Sequence, residues 1–289
     1  MLKALIKTMR LRQWTKNGFI FFGLIFDKQL FMPEPFLRTL LGFILFCLVS
    51  SAVYLYNDIA DVEADRNHPE KRFRPIASGQ LPEGVARAAA LLLAAIALPL
   101  AYLLSPMFAL ILTTYLMINL LYTRWLKHVP ILDVMIVSSG FVLRVAAGVA
   151  LITVERFSPW LYMITILFSL YIGLGKRRAE MNLLADGASS HRKVFEGYTI
   201  PLLDQYITIV SGMTIVAYSL YTFSAPNLPE NHAMMLTIPF VVYGIFRYLQ
   251  LIQVGHAAGS PDEVALKDRP LQVTVVLWGL TVIAIFYLF

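Results

Sequence analysis

The chain has 289 residues, of which 58% are hydrophobic and 15% are charged, and its mean hydropathy is +0.68. This composition excludes an ordinary soluble domain and indicates an integral membrane protein. The net charge of +6 does not indicate nucleic-acid binding, because the basic residues flank apolar segments, and a single cysteine, Cys47, excludes an intramolecular disulfide.

Nine predominantly apolar runs of helical length follow one another along the chain. We therefore predict one all-α membrane domain, residues 1–289, with nine transmembrane helices. The first run is short, and its length alone also fits a re-entrant segment. The runs cover approximately residues 17–31, 36–57, 84–104, 106–123, 131–152, 159–175, 203–223, 235–253 and 271–289.

The loop charges predict the orientation of these helices. If all nine runs cross, most loop lysines and arginines fall on one face, whereas the other face receives Lys28, Arg38 and Arg156. The positive-inside rule then places the N-terminus and the charged loops in the cytoplasm, with the protein in the plasma membrane. The predicted cytoplasmic segments are 1–16, 58–83, 124–130, 176–202 and 254–270.

An acidic motif follows the second apolar run, in the stretch "NDIADVEAD". Asp58, Asp61 and Asp65 are spaced by three and four residues, so on a helix they lie within about 60° of one another. Clustered carboxylates repel one another unless cations neutralise them, and oxygen ligands of this kind suit Mg²⁺, which also bridges to phosphates. We predict that these three residues bind Mg²⁺ and a diphosphate and are catalytic.

Basic residues follow directly in "HPEKRFRPIASG", where Lys71, Arg72 and Arg74 lie between two prolines. Cations beside metal-binding carboxylates are what a polyphosphate substrate requires, so we predict that all three bind substrate. Two alternatives remain open: a positive-inside anchor, and a solvated loop in which these residues and Arg66 pair with the acids.

The pattern N57-D58-x-x-D61-x-x-x-D65 resembles the first aspartate motif of the UbiA-type intramembrane prenyltransferases, and Asn57 joins the predicted substrate-binding residues. The resemblance to the decaprenyl-phosphate phosphoribosyltransferase branch is more specific and extends through most of the chain. It is carried by the acidic and basic stretch 57–79 and by "RLRQWTKN" (10–17), "LKHVPILDVMIVSSGFVLRVAAG" (126–148), "GKRRAE" (175–180) and "DRPLQ" (268–272).

This resemblance implies a UbiA-like bundle of nine helices with a cytoplasmic active-site cap. It implies transfer of phosphoribose from phosphoribosyl pyrophosphate to a polyprenyl phosphate, with release of pyrophosphate and Mg²⁺ as cofactor. Synthesis of a cell-wall arabinan precursor is implied in the same way. The expected partners are these two substrates and membrane lipids, with no nucleic acid, and a homo-oligomer stays open.

The chain departs from the wider superfamily after the sixth apolar run. Most of these prenyltransferases carry a second aspartate-rich motif there, whereas this chain has Lys176, Arg177, Arg178 and Glu180. Cations in place of carboxylates favour bare phosphate oxygens over a metal-masked diphosphate. We predict that Lys176, Arg177 and Glu180 bind a substrate that carries an additional phosphate.

Arg144 lies well inside the fifth run, where an isolated cation costs at least ~2.5–3.5 kcal/mol on insertion scales. We predict that it faces a polar cavity and binds substrate; pairing with Asp133 or Glu180 is the alternative. Asp133 itself fits a helix cap or support for a metal.

Lys16, Asn17 and Tyr122 complete the predicted substrate-binding residues, because all three lie near the predicted cytoplasmic face. For Lys16 the alternative is an anchor whose amine reaches the membrane surface, and for Tyr122 it is an interfacial tyrosine. Residues 261–270 fit a lid or, for most of them, a solvated loop. Two other functions stay open, a prenyltransferase with an aromatic acceptor and a transporter of anionic metabolites.

Overall fold

The computed structural model describes residues 1–153, 159–185, 193–225, 228–254 and 267–288. Within these residues the only regular elements are helices. The α-helices are α1 (Leu2–Thr8), α2 (Phe22–Phe26), α3 (Pro33–Ala60), α4 (Val62–Arg66), α5 (Glu83–Leu104), α6 (Pro106–Arg124), α7 (Leu132–Val149), α8 (Pro159–Ala185), α9 (Ile200–Ser224), α10 (Ile238–Gln253) and α11 (Arg269–Leu288). The 3₁₀ helices are Leu11–Phe21, Lys71–Phe73, Leu126–His128, Lys193–Gly197 and Ala233–Thr237. Arg156, residues 186–192 and most of the predicted lid lie outside the described residues.

The predicted all-α membrane fold is confirmed. In the part of the chain that the structure describes, eight helices are long and apolar enough to span a membrane, and they coincide with the second to ninth apolar runs. Proline in the first turn begins several of them, because proline lacks the N–H that would be unsatisfied there. Ser105 and Thr199 cap α6 and α9 by accepting hydrogen bonds from Phe108 N and Leu202 N, each at 3.3 Å.

The first apolar run differs from the prediction, because it does not form one long α-helix. It forms the 3₁₀ helix Leu11–Phe21 followed by α2. A 3₁₀ helix rises about 2.0 Å per residue, so the two elements together extend about 30 Å, which is the thickness of a bilayer core. Side-chain contacts with α3 hold this conformation: Trp14 Nε1 donates to Ser51 Oγ at 3.1 Å, and the buried Asn17 Nδ2 donates to Ser50 Oγ at 3.2 Å.

The helices form two compact units. The first comprises Met1–Ile136 and Gly140–Val154, and the second comprises Val137–Ser139 and Glu155–Phe289. The single domain expected from the sequence stays a prediction.

The core of the first unit lies between α3, α5, α6 and α7. Phe46, Phe108 and Leu112 are fully buried there together with Ile20 of the first 3₁₀ helix. A Cβ at Gly148 would lie 1.9 Å from the carbonyl oxygen of Ile20, so the close approach of this 3₁₀ helix to α7 requires glycine. The acidic motif lies at the C-terminal end of α3, and α3 is densely packed in this core.

In the second unit, α8 packs against α9 and α10 packs against α11. Tyr171 is fully buried and donates a hydrogen bond to the Ile245 carbonyl at 2.6 Å, which connects α8 to α10. Tyr218 accepts a hydrogen bond from Trp278 Nε1 at 2.7 Å, which connects α9 to α11. These buried polar contacts fix the register of the four helices.

Candidate active site

The acidic motif lies at the end of α3, where the helix is interrupted. Asp61 is the C-terminal cap of α3 with φ −97° and ψ 6°, and α4 begins at the next residue. Helical hydrogen bonds nevertheless continue across the junction, from Asp61 N to Asn57 O at 3.0 Å and from Asp65 N to Asp61 O at 2.8 Å. The three acids therefore follow an almost helical path that is bent at the middle one.

Two of the acids converge on one arginine. Asp58 and Asp65 have side chains only 3% and 5% exposed. Arg74 Nη1 lies 2.7 Å from Asp65 Oδ2 and 3.3 Å from Asp58 Oδ1, so a single nitrogen bridges the two carboxylates. Arg10 Nη2 donates a further hydrogen bond to Asp58 Oδ1 at 2.5 Å. The two carboxylates thus lie on either side of a cationic nitrogen, Arg74 Nη1.

Asp61 has a different partner. Its side chain is 34% exposed, and its Oδ1 accepts a hydrogen bond at 2.5 Å from Nζ of Lys127 in the 3₁₀ helix Leu126–His128. The bend at Asp61 accounts for this difference, because a continuous helix would place the three carboxylates on one face. Next to it, the Thr123 hydroxyl donates a hydrogen bond to Asn57 Oδ1.

The donor chemistry of the site fits a hard divalent cation. Among the described residues no three His, Cys, Asp or Glu side chains are placed to hold one metal together. Asp58 and Asp65 nevertheless provide oxygen ligands around a position taken by a guanidinium nitrogen, and Mg²⁺ favours a few carboxylates completed by water and phosphate. Asp61 would join this pair only after leaving Lys127.

The predicted basic cluster is divided between two environments. Arg74 contacts the acids, whereas Arg72 is exposed and lies over the ring of Phe73 at 4.8 Å. Lys71 is half-buried beside them. The alternative in which the cluster pairs with the acids is thus realised for Arg74. Arg66 pairs at 2.6 Å with Glu63, which is an exposed residue of α4 and is not one of the three motif aspartates.

His68 shapes the turn between the acids and the basic cluster. Its Nδ1 accepts hydrogen bonds from the backbone N–H groups of Glu70 at 3.1 Å and Lys71 at 3.2 Å. Desolvation and the neighbouring charge of Lys71 lower the pKa of His68 below its ordinary value. Both effects favour the neutral ring, which is the form that can accept these bonds.

Arg10 adopts a strained backbone conformation. It separates α1 from the first 3₁₀ helix with φ 54° and ψ 55°, which is uncommon for a residue with a side chain. Its guanidinium lies 5.0 Å from the centre of the Tyr54 ring while it donates to Asp58. A strained residue that contacts a buried carboxylate is a reason to assign it to the functional site.

Arg144 lies deeper in the first unit. Its side chain is buried in α7, where Nε donates to Asn17 Oδ1 at 2.8 Å and Nη2 donates to the Tyr115 hydroxyl at 3.2 Å. It does not pair with Asp133, which is fully buried at the start of the same helix. The structure thus joins Arg144 to Asn17, another residue that the sequence singled out.

Lys16 and Tyr122 are half-buried. Lys16 precedes Asn17 in the first 3₁₀ helix and lies within electrostatic range of Tyr115. Tyr122 belongs to the last turn of α6 and precedes Thr123, which contacts Asn57. Both residues therefore lie in the elements that surround the acids and Arg144.

Lys176, Arg177 and Glu180 belong to α8 of the second unit. Arg177 is buried, and its Nη1 donates to Glu180 Oε2 at 2.5 Å. Arg178 pairs instead with Asp204 at 2.5 Å and donates to the Ile252 carbonyl at 2.9 Å, which gives it a structural role between α8, α9 and α10.

At the start of α11, Asp268 caps Leu271 N at 2.9 Å and pairs with Arg247 at 2.7 Å. The hydrogen bond from Arg247 lowers the pKa of Asp268.

Several residues of these networks were not singled out from the sequence, among them Arg10, Lys127, Tyr54, Tyr115 and Thr123. Arg10 and Lys127 lie 48 and 66 residues from the acids that they contact, so spacing could not connect them. Their only sequence signal is membership of the segments 10–17 and 126–148, which carry the family resemblance.

Known proteins resemble this chain in sequence and in fold. Residues 18–260 match the model of a family described as the UbiA prenyltransferase family. The decaprenyl-phosphate phosphoribosyltransferase of Mycolicibacterium smegmatis is 36% identical over 99% of this chain and 93% of its own length. The protein of the same name from Corynebacterium glutamicum is 34% identical over 99% of this chain and 87% of its own length.

A solved structure has the same fold. It is a UbiA homologue from Archaeoglobus fulgidus bound to DMAPP and Mg²⁺, with a TM-score of 0.75 over 99% of this chain and all of that chain. The identity is only 15%, so this similarity concerns the fold alone.

Proposed function

Because this chain belongs to the UbiA prenyltransferase family, we propose that it transfers 5-phosphoribose from phosphoribosyl pyrophosphate to a polyprenyl phosphate of the decaprenyl type and releases pyrophosphate. The observation that carries the proposal is the 36% identity to a decaprenyl-phosphate phosphoribosyltransferase along nearly the whole of both chains. The presence of Lys176 and Arg177, where most of the superfamily has carboxylates, supports a substrate with an additional phosphate.

Asp58, Asp65 and Asp61 would hold Mg²⁺. Bound there, the metal would neutralise the diphosphate of the donor as it leaves. The buried carboxylates of Asp58 and Asp65 and the cations around them support this assignment, since a polyphosphate needs both kinds of group.

The basic residues around the acids would bind the donor. Arg10, Arg74 and Lys127 now neutralise carboxylates, and each carries an N–H group that can donate to a phosphate oxygen instead. Asn57 precedes Asp58 and contacts Thr123, the residue after Tyr122, and Lys71 and Arg72 belong to the 3₁₀ helix that directly precedes Arg74. We assign these four residues, Asn57, Tyr122, Lys71 and Arg72, to the same site. These residues orient the donor so that the bond from ribose C1 to the diphosphate oxygen points towards the acids.

In the reaction, an oxygen of the lipid phosphate forms a bond to C1 of the ribose, and the bond from C1 to the diphosphate breaks. Pyrophosphate leaves with the electron pair of that bond. The lipid phosphate is already anionic at neutral pH, so positioning and electrostatic stabilisation contribute most of the rate and little general-base catalysis is needed. Attack from the face opposite the diphosphate inverts the configuration at C1.

The proposed orientation places the N-terminus and the active site in the cytoplasm of a cell whose plasma membrane contains the protein. The three N-terminal segments predicted to share one face support this orientation. Residues 1–16 contact the acidic segment through Arg10 and Asp58, and residues 124–130 contact it through Lys127 and Asp61. A charged donor would then enter from the cytoplasm, while apolar helices contact the lipid tail. The downstream role would be the supply of a cell-wall arabinan precursor.

A donor-selection experiment tests this proposal. Purified protein with Mg²⁺ receives either labelled phosphoribosyl pyrophosphate with a polyprenyl phosphate, or labelled prenyl diphosphate with an aromatic acceptor. We expect label in the lipid phosphate only with the first pair. Label in the aromatic product would support a simple prenyltransferase, and turnover with neither pair would contradict the proposal.

A further inference from the structure

Arg144 is the starting point, because its guanidinium is always charged and is only 5% exposed inside a membrane-spanning helix. Among the described residues of its unit it pairs with no carboxylate: its hydrogen bonds go to Asn17 and Tyr115, which are neutral. A charged side chain within a span normally has a counter-charge or binds a ligand.

The described contacts use only part of its hydrogen-bonding capacity. A guanidinium has five N–H groups, and here Nε donates to Asn17 while one N–H of Nη2 donates to Tyr115. No described protein atom accepts from Nη1. At Gly140 a Cβ would lie 3.1 Å from Nη1, so Nη1 packs closely against a glycine, where any larger residue would crowd it.

The aromatic rings around Arg144 stabilise its buried positive charge, and the excess of positive charge there favours the binding of an anion. The rings of Phe46, Tyr115 and Phe141 have their centres 5.5, 5.1 and 5.1 Å from the guanidinium carbon, which lowers the cost of burying the charge. Lys16 directly precedes Asn17, so a second positive charge belongs to the element that contacts Arg144.

Arg38 shows what a purely structural arginine looks like in the same unit. Its Nε donates to the Leu151 carbonyl at 3.0 Å and its Nη2 to the Leu104 carbonyl at 2.9 Å. These bonds satisfy backbone acceptors close to the ends of α7 and α5. Arg144 satisfies no backbone carbonyl, so helix capping does not explain it.

The position of Arg144 relative to the acids suits a second phosphate. Asn17, which binds Arg144, also contacts Ser50 of α3. Ser50 precedes Asp58 by eight residues of the same helix, which corresponds to about 12 Å. A group bound at Arg144 is therefore distinct from a diphosphate bound at the acids.

We propose that Arg144, Asn17 and Tyr115 form an intramembrane subsite for a phosphate monoester. A guanidinium with unused N–H groups can bind two phosphate oxygens in parallel, which an ammonium cannot. This inference rests on the proposed function for the source of the phosphate, which is either the lipid phosphate of the acceptor or the 5-phosphate of the donor.

The test measures binding without turnover, on the full chain in lipid nanodiscs. Farnesyl phosphate represents the lipid source, with farnesol as its uncharged control, and ribose 5-phosphate represents the donor, with ribose as its control. Ligand-induced shifts of the melting temperature and titration calorimetry are recorded for the wild type, Arg144→Gln and Arg144→Lys. Arg38→Gln is the matched control, because it removes a half-buried arginine of the same unit outside the subsite.

We expect one of the two phosphates to bind to the wild type and to Arg38→Gln, and to bind about tenfold or more weakly to Arg144→Gln. Arg144→Lys should recover binding only in part, because it retains the charge and loses the fork. If the binding of farnesyl phosphate depends on Arg144, the subsite takes the lipid phosphate of the acceptor. If the binding of ribose 5-phosphate depends on Arg144, the subsite takes the 5-phosphate of the donor.

Equal binding of both phosphates to Arg144→Gln and Arg38→Gln would overturn the inference. If Arg144→Gln does not fold, Tyr115→Phe takes its place, since it removes one hydroxyl and retains the ring; unchanged binding of both phosphates would then overturn the proposal. Arg144-dependent phosphate binding in a protein without transferase activity would contradict the proposed function and leave the subsite standing.

Discussion

The acidic motif shows how three residues of one type acquire different roles from their surroundings. Asp58 and Asp65 are buried and share Arg74, so the removal of either charge leaves this guanidinium with one carboxylate in place of two and breaks a buried ion pair. Asp61 is one-third exposed and pairs with a flexible lysine. The stability cost of neutralisation should therefore be smallest at Asp61.

Asp61→Asn should abolish transfer while the protein stays folded. The amide retains the volume of the side chain and loses the charge that a metal requires, so we expect kcat/KM to fall about 100-fold or more. The expected change in melting temperature is within about 2 °C. Turnover with phosphoribosyl pyrophosphate and the thermal melt of the purified variant measure both quantities.

Glu63→Gln is the control for this variant. Glu63 lies two residues after Asp61, is 79% exposed and pairs with Arg66, which is not one of the cations that contact the three aspartates. Its activity should remain within about twofold of the wild type, because exposed pairs contribute little. Equal losses in both variants would show that negative charge in general, and not the position of Asp61, matters.

At the scale of the elements, the contact between the first 3₁₀ helix and α7 depends on one glycine. Gly148→Ala would place a methyl group in the position of the Ile20 carbonyl, and the helices would have to separate. We expect a loss of stability of about 1–3 kcal/mol, as for other overpacked cores. Gly18→Ala is the matched control, because a Cβ there meets no atom within 4 Å. An equal thermal stability of the two variants would contradict the described packing.

Asp268 attaches the start of α11 to α10. Asp268→Ala removes a helix cap and an ion pair, so at neutral pH we expect a loss of about 1 kcal/mol. Because the folded-state pKa of Asp268 is lowered, its contribution is present above the ordinary carboxyl pKa of about 3.9 and is lost as the pH falls through the folded value. The difference in melting temperature between variant and wild type should thus be constant from pH 5 to pH 8. A difference that disappears within this range would show that another group is responsible.

The long helices could be predicted from hydropathy, because eight runs of apolar residues required nothing but length and composition. The first run could not be assigned in this way. Its conformation depends on Asn17 and Trp14, whose partners Ser50 and Ser51 lie in α3. Such tertiary contacts override the local preference for an α-helix.

The same division applies to the candidate site. The spacing of Asp58, Asp61 and Asp65 indicated a candidate site, and the apolar surroundings of Arg144 made that residue a candidate. Their partners were not predictable, since Arg10, Lys127 and Tyr115 come from other helices. The bend at Asp61 was not predictable either, because spacing assumes one uninterrupted helix across the motif.

For the whole molecule, the proposed orientation makes a testable statement about both membrane faces. In a Cys47→Ser background, cysteines at Lys3 and Glu63 should react with an impermeant maleimide only when the cytoplasmic face is accessible. A cysteine at Glu230 should react from the opposite face. Intact cells expose only the outer face to the reagent and inside-out vesicles expose the cytoplasmic face, so the two preparations distinguish the two faces. Reaction of Lys3→Cys in intact cells would contradict the cytoplasmic N-terminus.

The central claim is that one site in this membrane protein joins a phosphoribosyl group to a lipid phosphate. The mass of the lipid formed by purified protein with phosphoribosyl pyrophosphate, Mg²⁺ and decaprenyl phosphate tests it most directly. The account predicts a product heavier than the acceptor by one phosphoribosyl group, formed together with one equivalent of pyrophosphate and absent with Asp61→Asn. An acceptor of unchanged mass, or a product that Asp61→Asn forms at the same rate, would contradict it.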